Sequence, residues 1–124
     1  MPSWRRKTPA RGRLGPVRTF LLLSTLSPQG LQTLAATPER LFEVNREIEG
    51  LGGRVVRQWA LLGSYDFLSV VEAPGAEVIA RISTELSARG SATFETLVAI
   101  PVDEFIEALD VPDPGAPPSP PGET

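Results

Sequence analysis

Arg54-Val55-Val56-Arg57-Gln58-Trp59-Ala60-Leu61-Leu62-Gly63-Ser64-Tyr65-Asp66-Phe67-Leu68-Ser69-Val70-Val71-Glu72 is the segment that points most directly to the architecture. Its first half alternates Val56, Ala60 and Leu62 with Val55, Trp59 and Leu61, and its second half is apolar or β-branched from Phe67 to Val71, broken only by Ser69. Both halves suit a pleated, half-buried surface. Gly63-Ser64 between them is a two-residue hairpin signal, because glycine takes the positive φ that tight hairpin turns need. Residues 54–62 and 66–72 are therefore expected as antiparallel neighbours, the second and third strands of a sheet.

Upstream, residues 18–26 carry apolar side chains on both alternating faces, Phe20, Leu22 and Leu26 on one and Leu21 and Leu23 on the other. That pattern describes a central strand covered on both sides. Ser27-Pro28 supplies an N-cap and a proline at the first helical position. Thr37-Pro38-Glu39 repeats the start signal, so the first helical region is expected to be kinked or split at Pro38. Its second part carries Leu41, Val44, Ile48 and Leu51 at helical spacing until Gly50, Gly52 and Gly53 close it. Downstream, Val78, Ile79, Ile82 and Leu86 form one helical stripe, residues 93–100 read as a fourth strand, and Phe105, Ile106 and Leu109 give a short terminal helix an apolar side. The order β-α-β-β-α-β-α predicts an α+β, ferredoxin-like βαββαβ domain with a four-stranded antiparallel sheet and a short C-terminal helix. Two helices cover one face of such a sheet, and apolar residues on the other face call for a partner. A second copy related by a two-fold axis would supply one.

The chain has 124 residues, enough for one domain. Residues 1–16 hold five of the twelve basic residues, no acid and three prolines, and residues 111–124 hold six of the thirteen prolines. They read as a disordered basic arm and a disordered Pro-rich tail flanking a domain at 17–110, because neither segment offers apolar periodicity to bury. Val17 is accordingly a candidate translation start. Up to residue 18 the charge is +6, and the remainder sets six bases against fifteen acids, a net −9. An acidic body repels phosphate backbones, so nucleic-acid contact is left only to the basic arm.

There is no cysteine and no histidine. Disulfides, thiolate nucleophiles, histidine bases and the usual zinc and haem ligand sets are excluded, and no cofactor or metal is expected. The apolar run at 20–26 is shorter than the ~20 residues that span a bilayer. A signal peptide with Leu34-Ala35-Ala36 as its cleavage mimic fits less well than a first strand, since Ser24, Thr25 and Pro28 interrupt the run. A cytoplasmic location follows as the expectation.

Leu61-Leu62-Gly63-Ser64-Tyr65-Asp66-Phe67 with Val71-Glu72-Ala73-Pro74 resembles the GYD family, small proteins named for a glycine-tyrosine-aspartate signature. Matching segments include Phe20-Leu21-Leu22-Leu23-Ser24-Thr25-Leu26-Ser27-Pro28-Gln29-Gly30, Pro38-Glu39-Arg40-Leu41, Leu86-Ser87-Ala88-Arg89-Gly90, Glu95-Thr96-Leu97 and Ala99-Ile100-Pro101. Ser64 is inserted into the bare signature. The resemblance implies a dimeric α/β-barrel domain without an established activity. Gly-x-Tyr-Asp before an apolar strand also looks like the ligand-sensing domain of the Lrp/AsnC regulators, though no helix-turn-helix segment precedes it here.

Tyr65 and Asp66 have two readings: a phenol and a carboxylate offered to a ligand from a hairpin, or turn chemistry, with the aspartate bonding backbone amides and the tyrosine capping the core. Turn chemistry accounts for both without a ligand, with Gly63 and Ser64 as turn residues. Trp59 and Arg57, two apart on one strand face, suit an interface or a pocket wall. Glu72 and Glu95 are a conceivable acid-base pair, but solvated strand ends explain them as well. Asp103, Glu104 and Glu107 complement a helix dipole. Gly50, Gly52 and Gly53 follow a helix and precede a strand, the reverse of a phosphate-binding motif.

The expected function is that of a non-enzymatic homo-oligomeric domain binding a small molecule or a protein partner through the pocket between sheet and helices. The alternative is a cofactor-independent monooxygenase or isomerase of the dimeric α/β-barrel type, with Tyr65, Asp66 and Trp59 as the participants. A purely structural assembly role is a third reading.

Overall fold

The computed structural model describes residues 16–110; the readings for residues 1–15 and 111–124 lie outside them. β1 (Arg18–Leu26) leads into α1 (Pro28–Ala36) and α2 (Arg40–Gly50), followed by β2 (Arg54–Ala60), β3 (Phe67–Ala73), α3 (Ala76–Ser87), β4 (Ala92–Ala99) and α4 (Val102–Asp110). The sheet order is β2-β3-β1-β4, all neighbours antiparallel. β1 and β3 are thus central, and each helical crossover links strands separated by one neighbour, the split arrangement expected from the sequence.

Local signals behave as read. The Ser27 hydroxyl accepts a bond from the Gly30 N–H at 3.0 Å and Pro28 opens α1. Pro38 separates α1 from α2, because proline has no N–H to give and its ring crowds the preceding turn. α1 lies close on the entry to β4: a Cβ at Gly30 would collide with the Ser91 carbonyl oxygen. That carbonyl accepts from the Ser27 N–H at 2.8 Å and from the Ser27 hydroxyl at 3.2 Å.

The core lies between one sheet face and the helices. Phe20 and Leu22 of β1 and Val71 and Ala73 of β3 meet Ile48 of α2 and Ile79, Ile82 and Leu86 of α3. Each large apolar side chain so buried contributes on the order of 1.5–3 kcal/mol. This seam orients α2 and α3 on the sheet.

The connection between β2 and β3 differs from the expected two-residue turn. The last paired residues are Ala60 and Phe67, and the loop closes with Leu61 N–H donating to the Asp66 carbonyl at 2.8 Å. Residues 62–65 form a four-residue loop, with Gly63 at φ +134° and Leu62 fully exposed. Asp66 is drawn toward β1 instead: its N–H donates to the Ser24 carbonyl at 2.7 Å, and its carboxylate accepts from the Leu26 N–H at 2.7 Å. Bonds to a third strand therefore set the loop length. A bulge between Val55 and Arg57 also breaks the simple alternation read for β2.

Candidate functional site

Strand pairing resolves the two sheet faces. Residues level with Phe20 and Leu22 face the helices, so Leu21 and Leu23 of β1 point the other way. Register then builds three rows across the open face from β2 to β4: Trp59-Leu68-Leu23-Glu95, Arg57-Val70-Leu21-Leu97, and Arg54-Glu72-Thr19-Ala99. The middle of this face is leucine and valine. Its outer strands leave Trp59 46% and Leu97 40% exposed.

α4 extends the apolar surface. Val102, Phe105, Ile106 and Leu109 recur at helical spacing, each more than half exposed, and no residue of α4 is buried. The apolar stripe of α4 is thus left uncovered by the described residues. Where β4 leaves the sheet, a shallow groove of about 620 Å³ runs between Arg57, Trp59 and Glu72 on one side and Ile100, Pro101 and Val102 on the other.

The sequence-derived candidates occupy different places. Arg57 and Trp59 do share the open face, on the groove. Tyr65 stands at the end of the sheet, where its hydroxyl donates to the Glu95 carboxylate. That bond, together with the negative charge beside it, raises the Tyr65 pKa above the ordinary phenol value. Asp66 closes the loop onto β1, as described. Glu72 and Glu95 are not brought together: they flank β1 at the levels of Thr19 and Leu23, four residues or about 13 Å apart along the strand.

A second concavity, under the helices, is built from residues that the sequence does not single out. A cavity of about 110 Å³ lies between the sheet and α1 and α2, lined among others by Ser24, Asn45, Gln58, Ser69, Arg40 and Arg89. The signal that could have found them is polarity at core-facing strand positions: Ser24, Gln58 and Ser69 each fall on the helix-facing side. Gln58 is tied into a chain there, its amide N–H donating to Ser69 Oγ at 2.8 Å and to Asn45 Oδ1 at 3.2 Å. Asn45 Nδ2 donates back to Gln58 Oε1 at 2.9 Å. Among the described residues no group of three or more acidic side chains has metal-site geometry, and no helix is long and apolar enough to cross a membrane.

A split βαβ domain with one face under helices and the other open and apolar is a ferredoxin-like α+β fold. The GYD domain matches residues 20–109, and the chain belongs to the GYD family. A protein of Thermus thermophilus named "Glutamine synthetase and cystathionine beta-lyase binding protein" is 51% identical over 92 residues, covering 73% of this chain and 97% of that one.

Proposed function

We propose that the chain is a cytoplasmic homo-oligomeric binding domain of the dimeric α/β-barrel type, which docks onto protein partners, with glutamine synthetase and cystathionine beta-lyase as the first candidates. The observation that carries this reading is the open sheet face, where Leu21, Leu23, Leu68, Val70, Leu97 and Trp59 form a continuous apolar surface opposite the helices. A two-fold axis through that surface would bring the same patch of each copy together and give α4 a neighbour to pack on. The name of the relative supports enzymes as partners of the assembled domain. The cytoplasmic placement is supported by β1: the apolar stretch that mimics a leader is a central strand of the sheet, and cleavage after Ala36 would remove it.

Sedimentation velocity of the full chain, with binding of the immobilised chain to glutamine synthetase and cystathionine beta-lyase from its own host, tests the reading. The expected result is a dimer or larger at micromolar concentration and saturable binding of at least one enzyme. A monomer overturns the oligomeric half, and failure of both enzymes to bind overturns the partner half.

A further inference from the structure

The cavity beneath α1 and α2 has a donor-rich lining. Two arginines, Arg40 and Arg89, line it, and no aspartate or glutamate does. Their countercharges belong to α2: Arg40 Nη1 donates to Glu43 at 2.5 Å, and Arg89 forms a two-pronged pair with Glu47. The latter pair raises the Arg89 pKa and lowers that of Glu47, each charge favouring the other. These contacts hold the guanidinium groups in place while using only one nitrogen of Arg40 and the two terminal nitrogens of Arg89. An arginine has five N–H donors, so capacity is left on both.

The sheet side of the cavity repeats this imbalance. Ser24 and Ser69 are each only 7% exposed. Ser69 Oγ accepts from Gln58, Ser24 Oγ lines the cavity without a hydrogen bond to another described residue, and no fully buried side-chain nitrogen or oxygen among the described residues lacks a partner. A hydroxyl on a cavity wall normally donates to whatever fills the cavity, water or ligand. The remaining wall is mostly apolar, with Leu22, Leu26, Val44, Phe67 and Phe94, beside Thr33, Asn45, Gln58 and Ser91. Apolar walls with a few convergent polar groups are the usual form of a small-molecule site.

We propose that this cavity binds a short-chain organic carboxylate: the acid group faces Arg40 and Arg89, the apolar chain lies against Leu22, Val44 and Phe94, and a second oxygen accepts from the hydroxyls of Ser24 and Ser69. The size sets the class. A cavity of ~150 Å³ lined by aliphatic and aromatic side chains takes up benzene, so 110 Å³ suits a chain of about four carbons with its carboxylate toward the arginines. A cation would meet two guanidinium groups, whose carboxylate partners Glu43 and Glu47 do not line the cavity. The site is independent of the protein-partner reading, since it lies on the opposite face of the sheet.

The test is titration of the ¹⁵N-labelled full chain with 2-oxobutyrate, butyrate, butyramide and butylamine at constant ionic strength, following amide shifts. Both acids should move the amides of Ser24, Gly30, Ser69 and Ser91, and bind roughly tenfold or more tightly than butyramide, the worth of one charge-assisted bond. Butylamine should move none of them. In a folded Arg40→Gln, Arg89→Gln double variant the advantage of the acids over butyramide should vanish. In Ser24→Ala the preference for 2-oxobutyrate over butyrate should fall. Should the arginine variant not fold, Leu41→Trp, which narrows the cavity from α2, must weaken both acids. Equal binding of acid and amide, shifts confined to other surfaces, or no response because water alone fills the space would each overturn the proposal.

Discussion

The Asp66 carboxylate accepts a hydrogen bond from the Leu26 N–H at 2.7 Å across forty residues of sequence, tying the β2–β3 loop to the end of β1. The Asp66 N–H reaches the Ser24 carbonyl from the same position. One residue thus continues the β1–β3 ladder with its backbone and satisfies the strand end with its side chain. Asp66→Ala would leave the part-buried Leu26 N–H without an acceptor. The expected loss is about 1.5–3 kcal/mol, the range for a bond to a charged group, read as a shift in the urea midpoint with unchanged slope. Asp66→Asn keeps an oxygen at that place and should lose less.

Tyr65 is the chain's one tyrosine, so its phenol can be followed alone by ultraviolet absorbance. The Glu95 carboxylate accepts its proton's hydrogen bond and raises its pKa, so the folded protein should ionise above pH 10. The sign follows from linkage: the contact is fully present below the ordinary tyrosine range near ~10 and is lost as pH climbs through the raised folded value. Glu95→Gln should bring the titration midpoint down. A midpoint unmoved by that substitution would show that the pair does not persist in solution.

Gly30 carries no side chain because the Ser91 carbonyl occupies the space where a Cβ would go. Gly30→Ala must push α1 away from the start of β4, and since the obstacle is backbone it cannot rotate aside. A destabilisation of about 1–3 kcal/mol is expected, as for overpacking elsewhere, despite the helix propensity that alanine adds. Thermal unfolding of the variant checks it.

Leu97 and Val98 are adjacent on β4 and point to opposite faces, Leu97 level with Leu21 and Val98 level with Phe20. They therefore separate an interface effect from a general surface effect. Leu97→Lys should shift the self-association equilibrium toward monomer, whereas Val98→Lys, at a position 58% exposed on the helix side, should leave it alone. Sedimentation at several concentrations reads the difference. Equal behaviour of the two variants would remove the open face as the place where copies meet.

The order of elements is legible in the residues alone, since each element carries a local cause: alternation in the strands, the Ser27-Pro28 cap, the break at Pro38, and the stripe of Ile79, Ile82 and Leu86. Arg57 and Trp59 fall on one strand face for the same reason, because side-chain period in a strand is a local property. Packing settles what depends on residues far apart in the chain. The β2–β3 loop is four residues long because Asp66 is held by Ser24 and Leu26, which no pattern within residues 54–72 can show. Glu72 and Glu95 lie far apart along the sheet because each pairs with a different end of β1. The cavity exists because Ser24, Asn45, Gln58, Ser69 and Arg89, from five separate elements or turns, converge when α1 and α2 settle on the sheet. A polar residue at a core-facing strand position can be seen in sequence, but the neighbours that satisfy it, or leave it a free donor, are set only by the tertiary arrangement.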